Sequence, residues 1–206
     1  MKAKQALRAL CAVTIAAFTS AILAATATAQ VQQNVKPPAG LQWQQMNEIV
    51  FNSTNLSSTG TDEERTLLAK IWAKEIQGTQ KSPINGSLLP SFALIGSVAH
   101  QDETVVLSIF DRAGYSCIAP GNGRDMINIY ATCPLRIVRL LSNNQAKVQN
   151  LPTNFCMIFG DDPNTPRTKN HNEYAYDEHT GIVYLRTIQY GKVVPECNRA
   201  IQVFKR

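Results

Sequence analysis

The sequence lacks the short motifs that identify most metal, redox and phosphate sites. Its five cysteines include no Cys-x-x-Cys pair, which argues against a zinc site of closely spaced thiolates and against a thioredoxin-like redox pair. The loop PGNGRD at 120–125 is not followed by Lys-Ser or Lys-Thr, as a P-loop would be. Since Asn-Gly is a favoured pair in hairpins, we interpret this loop as a turn.

Catalytic signatures are missing too. The chain contains no Gly-x-Ser-x-Gly elbow and no His-Glu-x-x-His pattern. The first exposes a nucleophilic serine, and the second places two histidines on one metal ion. The sequence therefore gives no direct indication of a hydrolytic or metal-dependent reaction.

Long apolar runs are absent except at the start of the chain. Three basic residues among the first eight precede an apolar run over 10–25, and small residues stand before Gln30. This order predicts a secretory signal peptide over residues 1–29, cleaved after Ala29. Because the run is rich in Ala and Thr, we do not expect it to remain as a membrane span. The expected location is periplasmic or secreted.

Excess positive charge is small once the leader is set aside. The whole chain has 20 Lys and Arg against 15 Asp and Glu. The leader holds three of the basic residues and none of the acidic ones, which leaves 17 against 15, a net charge of +2. Nucleic-acid binding requires a clustered basic face, and the remaining basic residues are scattered. We predict no nucleic-acid partner.

The cysteines outside the leader indicate disulfide bonds. Cys11 lies in the leader, and Cys117, Cys133, Cys156 and Cys197 remain. An even number in an exported chain predicts two disulfides. Cys133 and Cys156 stand almost symmetrically about the turn SNNQ, whereas a nearest-neighbour scheme pairs Cys117 with Cys133 and Cys156 with Cys197. The sequence does not choose between these connectivities.

Two helices are predicted after a flexible start. Residues 30–40 are polar with a Pro-Pro step, which indicates a flexible lead-in. Apolar residues at helical spacing over 41–51 predict a short amphipathic helix. A longer helix is predicted between Thr61 and Gly78, because Thr61 and Glu64 match a capping box and an apolar stripe follows.

Beyond this point, short runs rich in Val, Ile and Tyr alternate with turn residues, which predicts strands joined by tight turns. Such connections favour antiparallel pairing. We predict one α+β domain over 41–206, with one or two N-terminal helices packed on a curved, mainly antiparallel sheet that two disulfides staple. The predicted strands cover 92–99, 104–110, 115–119, 126–133, 135–141, 147–151, 155–159, 173–176, 181–190 and 200–205.

His100 and Asp102 form the first candidate site. A histidine beside a carboxylate can activate water or a nucleophile. One hypothesis is therefore a small exported hydrolase that uses this pair. The alternative is a polar turn between two buried strands, since polar residues are typical of turns.

Histidines and carboxylates also cluster over 171–179, in HNEYAYDEH. Strand alternation puts His171 and Glu173 on one face and leaves 177–179 in the turn beyond. This spacing does not bring the ligands to one ion, so we predict no metal and no cofactor. The acidic loop over 161–164 lacks the spacing of an EF-hand, and we interpret it as a turn.

The preferred hypothesis is a non-catalytic interaction protein of the bacterial envelope, such as an inhibitor, an immunity factor or an accessory component of a secretion system. Export, disulfides, many strands and the missing catalytic motifs motivate it. The candidate contacts are Tyr184, Arg186 and Tyr190, which alternate onto one strand face, because Tyr and Arg are enriched in binding hot spots. Alternatively, the tyrosines pack the sheet. The expected partner is another protein.

Overall fold

Strands dominate the secondary structure of the computed structural model, which describes residues 29–51, 58–77, 86, 90–112, 116–118, 129–141, 146–158 and 169–204. The helices within these ranges are α1 (Asp62–Ile71) and α2 (Ala73–Gln77), and a 3-10 turn spans Pro195–Cys197. The strands are β1 (Val31–Gln33), β2 (Gln44–Gln45), β3 (Asn47–Phe51), β4 (Ser91–His100), β5 (Glu103–Arg112), β6 (Ala131–Leu140), β7 (Ala146–Met157), β8 (His171–Asp177), β9 (Ile182–Gln189), β10 (Lys192–Val193) and β11 (Arg199–Gln202).

Strands β3 to β7 form an antiparallel meander, which we call the central sheet. Both faces of its middle strands are buried, which explains the nearly continuous apolar sequence of β4 and β5, whereas β7 at the edge exposes alternate residues. In β5, Val105, Leu107 and Ile109 belong to one buried cluster, whereas Val106 and Phe110 belong to another. Alternation along the strand sends these two sets to opposite faces. The central sheet therefore separates two hydrophobic cores.

The outer sheet covers one face of the central sheet. Its order is β1-β11-β9-β8-β2, and β10 also pairs with β9, all antiparallel. Val183, Leu185 and Ile201 of the outer sheet share a buried cluster with Leu107 and Ile137 of the central sheet. Apolar burial between the two sheets is therefore what holds them face to face.

The two helices cover the other face of the central sheet. Trp72, at the end of α1, is completely buried. Its ring stacks on Phe110 with centroids 4.9 Å apart, and its Nε1–H donates to Oγ of Ser108 at 2.8 Å. On this face of β5, Ser108 lies between Val106 and Phe110. Its hydroxyl, the polar group among these three side chains, is satisfied by the Trp72 indole.

Arg136 of β6 fixes the same helical segment from its carboxyl end. Its guanidinium lies 4.1 Å from the centroid of the Trp72 ring and donates to the carbonyl of Ile71 at 2.6 Å. It also pairs with the carboxylate of Glu75. Cations near the carboxyl end of a helix complement its dipole.

The predicted capping box is confirmed. Oγ1 of Thr61 accepts the backbone N–H of Glu64 at 3.2 Å, and Oε2 of Glu64 accepts the N–H of Thr61 at 2.9 Å. No helix in the described ranges is long and apolar enough to cross a membrane.

The prediction of a helix over 41–51 is wrong, and the helices observed lie mid-chain, within 62–77, where the longer helix between Thr61 and Gly78 was predicted. The segment instead forms β2 and β3, and β3 pairs with β4 along its whole length. Ile49 and Phe51 are buried at strand spacing. Pairing with β4 and the β propensity of Ile-Val-Phe outweigh the helical spacing. The mainly antiparallel sheet and the two disulfides are confirmed.

The predicted flexible lead-in over 30–40 contains β1, whose residues pair with β11 from Val31–Ile201 to Gln33–Arg199. Two strands also run further than predicted. β6 continues through Pro134, and β7 continues through Pro152. The register shifts between Pro134 and Arg136, and such a bulge removes the need for a proline N–H in the ladder.

The disulfides join Cys117 with Cys133 and Cys156 with Cys197, with Cα atoms 4.3 and 5.5 Å apart. Cys133 lies opposite Phe155 and belongs to the core between the sheets. Cys156, one residue further along β7, faces the other way and packs with Cys197. Alternation along β7 thus keeps Cys133 and Cys156 apart.

Removing the disulfides should destabilise the protein to different extents. The Cys156–Cys197 bond closes a separation of 41 residues and the Cys117–Cys133 bond one of 16. Loop-closure entropy predicts losses of about 4 and about 3 kcal/mol for the respective double Cys→Ser variants. Urea unfolding measures both, and a larger loss from the shorter loop would contradict this ranking.

Candidate interaction surface

The most distinctive exposed feature is the hairpin that joins β9 to β10. Gln189 pairs with Lys192, so Tyr190 and Gly191 form a two-residue turn. Their φ angles are 51° and 75°, as in a type I′ turn, where Asn-Gly is the preferred pair. A residue such as tyrosine in the left-handed region carries backbone strain of about 1–3 kcal/mol.

Three large apolar side chains are exposed around this turn. Ile129, Tyr190 and Val193 are 39%, 45% and 41% exposed. The N–H of Ile129 donates to Oε1 of Gln189 at 3.3 Å, and Val193 pairs with Ile188. These contacts place all three residues at one end of the outer sheet, and we call Ile129, Tyr190 and Val193 the hairpin patch.

A row of charged side chains extends from the hairpin patch along β8 and β9. Nε of Arg186 donates to Glu173, and Nε2 of His171 lies 2.9 Å from the other oxygen of that carboxylate. The Arg186 guanidinium also stacks on the ring of Trp43, 3.8 Å from its centroid. His171 pairs with Ile188, so this row ends beside the patch.

Lys169 and Asn170 accept hydrogen bonds from the backbone of the hairpin turn. Oδ1 of Asn170 accepts the N–H of Tyr190 at 2.8 Å, and the carbonyl of Lys169 accepts the N–H of Gly191 at 2.8 Å. Asn170 is itself buried. Both N–H groups of the turn therefore have acceptors, and the buried side chain of Asn170 holds the backbone of Tyr190 in its left-handed conformation.

Asn172 links the hairpin region to the central sheet. Its Nδ2 donates to the carbonyl of Cys156 at 2.6 Å and to Oγ1 of Thr187 at 2.9 Å. Its Oδ1 accepts the N–H of Ile158 at 2.9 Å. Because Cys156 is also bonded to Cys197, the outer sheet is fastened to the end of β7 by a covalent bond and by a satisfied polar network.

Neither Asn170 nor Asn172 is among the site residues predicted from the sequence. Asparagine is depleted in strands, so its occurrence at position 172, inside a strand pattern, could have indicated a special structural role. Its partners are distant in sequence, however, and nothing local identifies them.

The three predicted contact residues are not equivalent. Tyr184 and Arg186 share a face of β9, but Tyr184 is only 6% exposed, and burial, with Asp177 nearby, raises the pKa of its phenol. Tyr190 does not continue this face as predicted, because Gly191 completes a turn and β9 ends at Gln189. Arg186 and Tyr190 therefore offer accessible surface, whereas Tyr184 mainly packs the sheet.

His100 and Asp102 lie at the turn between β4 and β5, as predicted, but His100 faces the protein. Its Nδ1 is hydrogen-bonded to the hydroxyl of Tyr176 at 2.9 Å, and its ring lies 4.7 Å from that of Phe204. Asp102 is exposed. Within the described ranges, no hydrogen bond or ion pair joins His100 to Asp102.

The acidic stretch over 171–179 divides as the strand alternation predicted, with His171 and Glu173 together on one face. The Thr180 hydroxyl donates to Asp177 at 2.7 Å and lowers the pKa of that carboxyl. Over the described residues, no group of three or more His, Cys, Asp or Glu could hold a metal ion. The acidic loop over 161–164 and the turn over 120–125 lie outside the described residues.

No family model matches the chain, and neither a curated protein nor a solved structure shows significant similarity to it. Its possible function must therefore be argued from its own residues.

The contacts of His100 predict a structural effect on substitution. His100→Ala removes the partner of a part-buried tyrosine hydroxyl and the contact with Phe204, and we expect a loss of about 1–3 kcal/mol in the free energy of unfolding. Asp102→Asn, in the exposed turn, should change stability by less than about 0.5 kcal/mol. Urea unfolding measures both variants.

The hydrolase hypothesis predicts a different result for the same pair. Both substitutions would then remove a hydrolytic activity by orders of magnitude, including Asp102→Asn, which should leave the fold as stable as before. Assays of the two variants against ester and peptide substrates distinguish these outcomes.

Proposed function

We propose that this protein is an exported, non-catalytic interaction protein of the bacterial envelope that binds another protein through the hairpin patch and Arg186. An inhibitor, an immunity factor and an accessory component of a secretion system all belong to this class. The observation that carries the proposal is Tyr190, a large exposed aromatic residue in a strained turn position where asparagine would be more favourable.

Strain of this kind persists where the surrounding structure enforces it, and it is frequent at functional sites. Asn170 and Lys169 accept hydrogen bonds from the turn backbone and hold Tyr190 in this conformation, which supports the proposal. A preorganised aromatic residue loses little conformational entropy on binding. Tyrosine and arginine are also enriched among the residues that dominate binding energy.

The disulfides support export, because such bonds form and persist in oxidising compartments. Residues 1–28 of the predicted leader lie outside the described residues, so a periplasmic location remains part of the proposal. Two cross-links and two packed sheets provide the rigid support from which the hairpin patch projects.

Substitution of Tyr190 by asparagine separates binding from folding. Tyr190→Asn relieves left-handed strain, so we expect unchanged stability or a gain of up to about 1 kcal/mol, while binding to the partner falls at least tenfold. Gln101→Asn is the matched control. Gln101 opens the β4–β5 turn with a φ of 52°, which is close to the φ of 51° at Tyr190. It should preserve binding.

The measurement is quantitative affinity capture from an envelope extract of the host, with the wild-type protein and the two variants as baits. The proposal predicts one stoichiometric partner that Tyr190→Asn loses and Gln101→Asn retains. A partner retained equally by all three baits, or none with wild-type bait whose disulfides are verified, would contradict it. Urea unfolding of each bait shows whether a loss of capture reflects a loss of fold.

A further inference from the structure

A second site lies away from the hairpin patch, in a cavity of about 390 Å³. The cavity is bordered by β1, at the edge of the outer sheet, and by β7, at the edge of the central sheet. Its lining is Gln33, Thr132, Leu151, Pro152, Thr153, Asn154 and Arg199. Among the described residues that line the cavity, Arg199 alone is charged, so its surroundings decide what the cavity can bind.

Arg199 is buried among neutral acceptors. It is 8% exposed, and burial lowers the pKa of its guanidinium. Nη1 donates to the carbonyls of Glu196 at 2.7 Å and Asn198 at 2.9 Å, and Nε donates to the carbonyl of Asn154 at 3.3 Å. These three bonds use three of the five N–H groups of the side chain.

The two N–H groups on Nη2 of Arg199 have no acceptor among the described residues. A largely buried cation is costly unless an anion or further hydrogen bonds compensate it. An anion in the cavity would supply that compensation at Nη2.

Neutral hydrogen-bonding groups surround this position. Nε2 of Gln33 donates to Oγ1 of Thr153 at 3.2 Å, and that hydroxyl lies 3.2 Å from the carbonyl of Asn154. The Gln33 amide carries a second N–H, and Thr132 adds a hydroxyl to the lining. Leu151 gives the cavity an apolar surface beside these polar groups.

We propose that the cavity binds a carboxylate, held by Nη2 of Arg199 with the Gln33 amide and the Thr132 hydroxyl as neutral donors. One guanidinium charge matches a single negative charge, whereas a phosphate dianion would leave one charge without a cationic partner among these lining residues. A free organic acid and the carboxyl end of a peptide both present this group.

The test uses the purified, oxidised protein at constant ionic strength. Backbone NMR shifts are followed in titrations with acetate, with phosphate, and with one short peptide as the free acid and as the amide. Asn154→Asp places a fixed carboxylate in the same lining and should weaken carboxylate binding at least tenfold. Asn150→Asp is the matched control, because it makes the same change on the same strand outside the cavity.

The proposal expects shifts centred on Arg199, Gln33 and Thr132, and carboxylate binding that Asn150→Asp retains. Comparable affinities for acetate and for the peptide acid indicate a small organic acid as the ligand. A peptide acid that binds at least tenfold more tightly than both acetate and its own amide indicates a chain end.

Three results would overturn the proposal. These are no saturable shift with any carboxylate, tighter binding of phosphate than of the carboxylates, and wild-type affinity in Asn154→Asp. Because Asn154 is exposed, its substitution tests the charge at the cavity without removing the hydrogen bonds of the Arg199 side chain. The result is independent of the hairpin patch, which contains none of these residues.

Discussion

The burial of the central sheet on both faces is the constraint on which the rest of the structure depends. Its strands are too apolar to leave either face in water, so one face requires the outer sheet and the other requires the helices. Trp72 meets this requirement on the helical side by stacking on Phe110 and bonding to Ser108. The central sheet thus contributes to two hydrophobic cores. It positions both the outer sheet and the helices, which pack on its two faces.

This constraint also determines where function can reside. With both faces of the central sheet covered, the accessible features are hairpins, strand edges and the outer side of the outer sheet. The hairpin patch lies at the end fastened by Asn172 and the Cys156–Cys197 bond. The Arg199 cavity lies between two strand edges. Each of these two proposed sites combines rigid support with a local feature that folding alone does not require. That feature is the left-handed conformation of Tyr190 in the hairpin patch and the buried guanidinium of Arg199 in the cavity.

The sequence predicted those features whose causes are local. The capping box of Thr61 and Glu64 needs only neighbouring residues, and the Val- and Ile-rich runs identify most strands. The helix prediction for 41–51 failed because the spacing of its apolar residues fits both a helix and a strand. Only the pairing with β4 determines that this segment is a strand. The conformation of Tyr190 could be suspected from Gly191, but its exposure could not. Asn172 and Arg199 gain their roles from carbonyls that are distant in sequence, so no local pattern reveals them.

Native-state hydrogen exchange of the oxidised protein tests this account most directly. If the double burial of the central sheet is the basis of the fold, the amides of β5 should exchange only through global unfolding. Their opening free energies should equal the free energy of unfolding measured in urea, whereas those of β1 and β10 should be lower. Exchange of the β5 amides through openings well below global unfolding would contradict the account.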